Sequence, residues 1–150
     1  MKLSTKGEYG LRAMYDLAEL HGSGPISLKS VAERQDISEP YLEQLFALLK
    51  KSGLVKSVRG AQGGYTLSRE PKEIAVGEVL RALEGSFAPM DCVDTSTIES
   101  CKRAEYCVTR QIWHKVKVAV DGVLDGITLE DMKEEASKIR SGKDYYMYYI

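Results

Sequence analysis

The sequence predicts a mainly α fold with a small β-hairpin wing: a winged helix-turn-helix domain plus a long dimerisation helix. Three observations carry this. Three separately capped helical segments follow one another up to Gly53. A glycine-rich hairpin comes directly after them. Further on, Ile112, Trp113, Val116, Ala119, Val120, Val123 and Leu124 share one helix face, more apolar surface than a small domain needs to cover, so the face reads as a dimer seam.

The first helix opens at Thr5 and Glu8, whose spacing is that of a capping box. Gly10, Ala13, Met14, Leu17 and His21 recur at helical spacing, Leu11, Ala18 and Leu20 widen the stripe, and Gly22-Ser23-Gly24-Pro25 ends it. His21 reads as a C-terminal helix residue beside the dipole's negative end. Ser27 caps a short second helix with Leu28, Val31 and Ala32 inward, and Ile37 plugs the core after it. Ser38 is the next N-cap. Glu39 suits the positive end of the dipole, and Pro40 in the first turn forfeits no helical hydrogen bond. Leu42, Leu45, Phe46 and Leu49 form the apolar face of this third helix, and Gly53 closes it. Leu54–Val58 and Tyr65–Ser68 then read as strands around a turn at 59–64.

After the Glu70-Pro71-Lys72 connector, Val76, Val79, Leu80 and Leu83 mark a short helix ending at Gly85. Periodicity vanishes from Ser86 to about Glu105, and a loop of that length in a small protein is usually functional or disordered. The long helix follows, and Thr128 with Asp131 opens a last helix through about Arg140. The expected division is therefore a winged helix-turn-helix domain at 1–70, a connector helix and cysteine-bearing loop at 71–108, dimerisation and following helices at 109–141, and an aromatic tail at 142–150 with no assigned role.

Hydrophobic residues make up 43% and charged residues 29% of the 150, ordinary values for a soluble globular chain. No apolar run approaches the roughly 20 residues that span a bilayer, and the N-terminus lacks the apolar core of a secretory signal, so no membrane partner and a cytoplasmic location are expected. Net charge is −1, but residues 1–70 carry ten Lys/Arg against eight Asp/Glu, whereas residues 71–150 carry eleven against fourteen. The asymmetry is mild, and charge alone does not point to nucleic acid. No Ser/His/Asp set, nucleotide loop or paired carboxylates suggest an enzyme.

Order and chemistry point further than charge does. A third helix entering the major groove of double-stranded DNA would present Ser38, Tyr41, Glu43 and Gln44 near its N-terminus, with Ala47, Lys50 and Lys51 behind them. Gln pairs bidentately with adenine, Glu accepts from cytosine N4, and Ser serves either way. In the hairpin, Arg59 beside Gly60 suits a narrow A·T minor groove. Winged helices also serve as protein-interaction modules, and the same surface is open to that use.

The three cysteines are spaced Cys92-x8-Cys101-x5-Cys107. An odd, clustered set is not a secreted disulfide framework. The Cys-x2-4-Cys knuckle of structural zinc and the Cys-x-x-Cys of thioredoxin-like chemistry are both absent. Thiolates are soft ligands for iron–sulfur clusters, zinc or copper(I), and wide spacing in a loop fits a cluster approached from several sides.

Met1-Lys2-Leu3-Ser4-Thr5-Lys6-Gly7-Glu8-Tyr9-Gly10, Tyr41-Leu42-Glu43-Gln44-Leu45 and Val58-Arg59-Gly60-Ala61-Gln62-Gly63-Gly64-Tyr65, with the trailing cysteines, resemble the IscR-type family of bacterial iron–sulfur and nitric-oxide-responsive repressors. The resemblance covers roughly residues 1–125, and the wing motif is its most specific piece. It implies a homodimer through the long helix, an inverted-repeat operator, and an iron–sulfur cluster near the dimer interface on Cys92, Cys101 and Cys107. [2Fe-2S] is favoured over [4Fe-4S], because the resemblance is nearest to cluster-biogenesis regulators. By matching position it implies DNA contacts from Ser38, Tyr41, Glu43 and Gln44, and from Arg59 in the wing.

The chain departs from the family pattern in two places. The gap between Cys92 and Cys101 is longer than in the best-known members, and Arg110 stands where some members place a ligating histidine. A guanidinium that stays protonated does not ligate iron. His114 lies about 10 Å further along its helix than Cys107 and reads as a helix-surface or packed residue. Glu8 matches a position from which some relatives donate a carboxylate across the dimer, so it is the candidate fourth ligand, from the partner subunit. Two alternatives stay open: a nitric-oxide or redox sensor of the same fold, and a cluster-free winged-helix regulator controlled by a protein or small molecule.

Overall fold

The computed structural model describes residues 2–95 and 101–149, with side chains through residue 142. In chain order it contains α1 (Thr5–Glu19), α2 (Leu28–Gln35), α3 (Glu39–Lys51), β1 (Val55–Val58), β2 (Gly64–Leu67), α4 (Val76–Glu84), α5 (Val108–Asp125) and α6 (Leu129–Tyr149). Single 3-10 turns at Pro71–Glu73 and Asp91–Val93 flank α4. The strands pair antiparallel, Val55 opposite Leu67 and Val58 opposite Gly64. This is the expected winged helix: mostly helical, with one hairpin.

Local chemistry explains most helix ends. Ser27 Oγ accepts from Ser30 N, and Ser38 Oγ accepts from Tyr41 N, so both act as the expected N-caps. Thr128 and Asp131 form a reciprocal pair at the start of α6: Thr128 N donates to Asp131 Oδ2 at 2.9 Å and Asp131 N to Thr128 Oγ1 at 3.1 Å.

The opening of α1 differs from expectation. Ser4, not Thr5, is the N-cap, accepting from Lys6 N, and Glu8 closes no capping box. The missing acceptor comes from the far end of α4, where Glu84 Oε1 accepts from Ser4 N at 2.9 Å and Gly7 N at 2.8 Å. Those donors, the Ser4 hydroxyl foremost, hold the Glu84 carboxyl below the usual carboxylate range. At its other end α1 stops at Glu19 and is capped by Leu20, so the exposed His21 lies beyond the helix rather than in its last turn.

One hydrophobic core runs through the three-helix unit and past residue 70. Met14, Leu17, Leu42, Leu45, Phe46 and Leu49 of α1 and α3 are buried with Ile74, Val79 and Leu83, and with Leu129 at the start of α6. Buried in the α1–α2 crevice, Asp16 receives Arg34 bidentately, with N···O distances of 2.7–3.1 Å, and Gln35 Nε2 at 3.1 Å. A fully desolvated carboxylate must be paired in this way. The wing is anchored to the body by an isolated bridge between Ile26 and Tyr65, whose ring packs on Phe46 at 4.9 Å.

Two further boundaries move. The last helix continues beyond Arg140 to Tyr149, so the backbone of the tail is helical. The tail's side chains from residue 143 lie outside the described residues, as do residues 96–100 of the cysteine loop. Along α5 no residue is buried: Trp113, Val116, Val120 and Leu124 are half-buried, while Ile112 and Val123 stand 49% and 62% exposed. Val120 and Leu124 pack against Val76, Leu80 and Phe87, while Ile112, Ala119 and Val123 on the same face stay exposed.

Candidate functional site

Two surfaces gather the residues singled out in the sequence. The first is the outer side of α3 with the wing. Glu43 and Gln44 are exposed one turn into α3, while Leu42, Leu45 and Phe46 behind them are buried. Helical periodicity alone produces this split between exposed face and anchoring face. Ser38 is exposed, its hydroxyl engaged in capping.

Tyr41 is placed differently. It is half-buried, its hydroxyl lies 3.0 Å from Thr5 Oγ1, and its ring meets Tyr9 edge-on at 5.9 Å. At the far end of the helix, Lys50 Nζ donates to Ser57 Oγ on β1 at 2.8 Å. Arg59 and Gly60 are exposed in the hairpin turn, and Gly60 has φ +117°, a left-handed value that favours glycine. Gly63 also has a steric reason, since a Cβ there would sit 2.2 Å from the Val58 carbonyl oxygen. Arg59 is thus carried on a turn whose shape depends on glycine.

The second surface lies at the N-terminus of α5. Cys92, Cys101 and Cys107 all line one pocket of about 360 Å³, together with Met90, Asp91, Thr109, Arg110 and Trp113. Folding therefore brings three thiols that are separate in sequence to a common cavity. Cys92 sits in the 3-10 turn fixed by the buried Val93, and Cys107 is the N-cap of α5. The Cys107 thiol is held below its usual range by its hydrogen bond with the Thr109 hydroxyl 3.1 Å away. Backbone donation from Arg110 and Thr109 and the charge of Arg103 add to the effect.

Arg110 contributes structure instead of ligation: its Nε donates to the Cys92 carbonyl at 3.3 Å and ties the loop to α5. This contact was not visible in the sequence, where Arg110 registered only as the wrong residue type for a ligand. His114 is exposed and absent from the pocket lining, as is Glu8, which is exposed on the first turns of α1.

Among the described residues, no group of three His, Cys, Asp or Glu side chains is set to hold a single metal ion. The chemistry of the pocket nonetheless fits an iron–sulfur group. It offers three soft thiol donors, one of them poised toward thiolate, and a guanidinium nearby to offset anionic charge. The pocket lining among the described residues carries the three thiols and the Asp91 carboxylate, with no histidine or glutamate. Among the described residues, no helix is long and apolar enough to cross a membrane.

Comparison with known proteins agrees with this layout. A model of the Rrf2 family, described as an iron-dependent transcriptional regulator, matches residues 3–135. The HTH-type transcriptional regulator CymR of Bacillus subtilis is 45% identical over 150 residues, which is all of both chains. The solved structure of that protein, the global cysteine regulator of B. subtilis, superimposes with a TM-score of 0.74 at 46% identity, covering 90% of this chain and 98% of the other. The structure of T. potens IscR superimposes with a TM-score of 0.72 at 54% identity, covering 91% and 88%.

Proposed function

The chain belongs to the Rrf2 family of iron-dependent transcriptional regulators, and from that premise we propose that its hold on DNA follows the state of an iron–sulfur cluster on Cys92, Cys101 and Cys107. DNA binding and transcriptional regulation come with the family; the cluster, its role and its ligands are the proposal. The observation that carries it is the meeting of the three cysteines in one pocket at the start of α5. The likeness to T. potens IscR supports the same reading, and [2Fe-2S] is the cluster type we propose. When bound, the cluster supplies a centre whose assembly, oxidation or loss changes the charge and connectivity of the loop.

The protein's own residues do the rest. Cys107, whose thiol the Thr109 contact holds below its usual range, is one proposed ligand, and Arg110 ties the Cys92 backbone to α5. Glu8 of the partner subunit is the proposed fourth ligand. The exposed Ile112 and Val123 on α5 support pairing of two copies along that helix, and a two-fold dimer reads an inverted repeat. Ser38, Glu43 and Gln44 of α3 face the bases, with Tyr41 at the foot of the helix, and Arg59 with Gly60 enters the minor groove. Occupation of the operator by such a dimer represses.

The test is anaerobic purification followed by visible absorption and iron and sulfide analysis. Charge-transfer bands that disappear in Cys92→Ala support the proposal, and loss of cluster stability in Glu8→Ala supports the fourth ligand. The full-length match to CymR favours a second reading, a cluster-free regulator controlled by a partner or metabolite linked to cysteine. Colourless, iron-free protein that still binds its operator tightly decides for that second reading.

A further inference from the structure

The first turn of α1 is gripped from two sides. On one side Glu84, the last residue of α4, accepts from Ser4 N, the Ser4 hydroxyl and Gly7 N. A Cβ on Gly7 would lie 2.8 Å from Glu84 Oε1, so this approach depends on glycine. On the other side Thr5 Oγ1 lies 3.0 Å from the Tyr41 hydroxyl, and Tyr9 packs edge-on against the Tyr41 ring. Tyr41 stands in the first turn of α3, directly before Leu42, Glu43 and Gln44. Immediately after Glu84 comes Gly85, with φ +82°, the root of the loop that leads to Cys92.

One helical turn is therefore hydrogen-bonded both to the root of the cysteine loop and to the foot of the reading helix. Packed helices move as rigid units, so a displacement of one partner is passed to the other through such fixed contacts. We propose that Thr5 and Glu84 are positioning residues for DNA recognition. In this arrangement the first turn of α1 transmits the placement of the α4 C-terminus to α3 through the Thr5–Tyr41 contact. The α1–α3 half rests on DNA binding alone, and the link onward to the cysteine loop rests on the cluster reading above.

The test is a double-mutant cycle on iron-free protein, so a failure of the cluster reading leaves it intact. The probes are a duplex selected from a random pool by the wild-type protein and a scrambled duplex of equal length. Thr5→Val and Tyr41→Phe each remove the contact while keeping shape. Each is expected to weaken the selected duplex by about three- to tenfold, the range for one hydrogen bond, with the scrambled duplex unaffected. The double variant is expected to be no weaker than either single one. Thr5→Val binding like wild type while Tyr41→Phe weakens overturns the inference, because the Tyr41 hydroxyl then acts on DNA itself; fully multiplicative effects overturn it as well. Glu84→Ala is expected to lower the selected-to-scrambled ratio, and Glu84→Gln, which keeps an acceptor oxygen, to restore most of it. A lower melting temperature in Glu84→Ala with an unchanged ratio marks Glu84 as merely structural and overturns its part.

Discussion

Gly10→Ala is expected to destabilise the protein, although alanine is the better helix former. Gly10 is buried in α1 where α4 crosses it, and a Cβ built there lies 2.1 Å from Leu83 Cδ1, 3.3 Å from Cγ and 3.4 Å from Cδ2. Carbon atoms in favourable contact stand about 3.5–4.0 Å apart, so Leu83 or the whole of α4 must retreat by roughly 1.5 Å. Leu83 is 5% exposed within the main core and has little room to turn. Two terms compete. The substitution gains up to about 1 kcal/mol in helix propensity, and overpacking a closed core costs about 1–3 kcal/mol. Overlap with a branched, fully packed side chain puts the cost in the upper part of that range, leaving a net loss of about 1–2 kcal/mol. For a chain of this size that corresponds to a fall in Tm of roughly 2–8 °C. Thermal melts at fixed protein concentration measure it, because pairing of subunits makes Tm concentration-dependent. Gly142→Ala in α6, where a Cβ meets nothing within 4 Å, provides the contrast and should hold or raise Tm. A Gly10→Ala protein melting at or above wild type refutes the close α1–α4 packing.

Three further outcomes test other parts of the molecule. Arg34→Met leaves the buried Asp16 carboxylate with Gln35 alone and should cost about 2–3 kcal/mol in urea unfolding, below the full range for a broken buried pair because the Arg34 side chain is 41% exposed. Gln44→Ala should relax preference at one base position by about 1–3 kcal/mol, whereas Lys51→Ala should weaken all duplexes evenly and reduce the salt slope by about 1. Thr109→Val removes the first donor that holds the Cys107 thiol down. In iron-free protein the thiolate then forms only at higher pH, so the pH profile of Cys107 alkylation should shift upward; a profile identical to wild type refutes the Thr109 contact.

What the sequence made legible follows the range of the interaction. Ser27, Ser38, Pro40 and Gly53 act within a turn of their own positions, so caps and helix limits around α2 and α3 could be read directly. The reading face was legible for the same reason: Glu43 and Gln44 alternate with Leu42, Leu45 and Phe46 at helical spacing. The cap of α1 was misread because half of it comes from Glu84, 80 residues beyond Ser4. Likewise, the bridge from Ile26 to Tyr65 leaves no periodic trace in a two-residue contact. The last helix, expected to end at about Arg140, continues to Tyr149.

The two candidate surfaces divide along the same line. Residue types on the exposed face of α3 are set locally. The cysteine pocket is assembled from a 3-10 turn, a loop and a helix N-terminus, and Arg110 joins two of them through a backbone carbonyl that no side-chain pattern records. The contacts between the surfaces, Thr5 to Tyr41 and Ser4 to Glu84, are also non-local, spanning 36 and 80 residues. A regulator must keep its reading face constant while making its placement responsive. Local sequence meets the first demand, and in the proposed arrangement the long-range hydrogen bonds of the first turn of α1 meet the second.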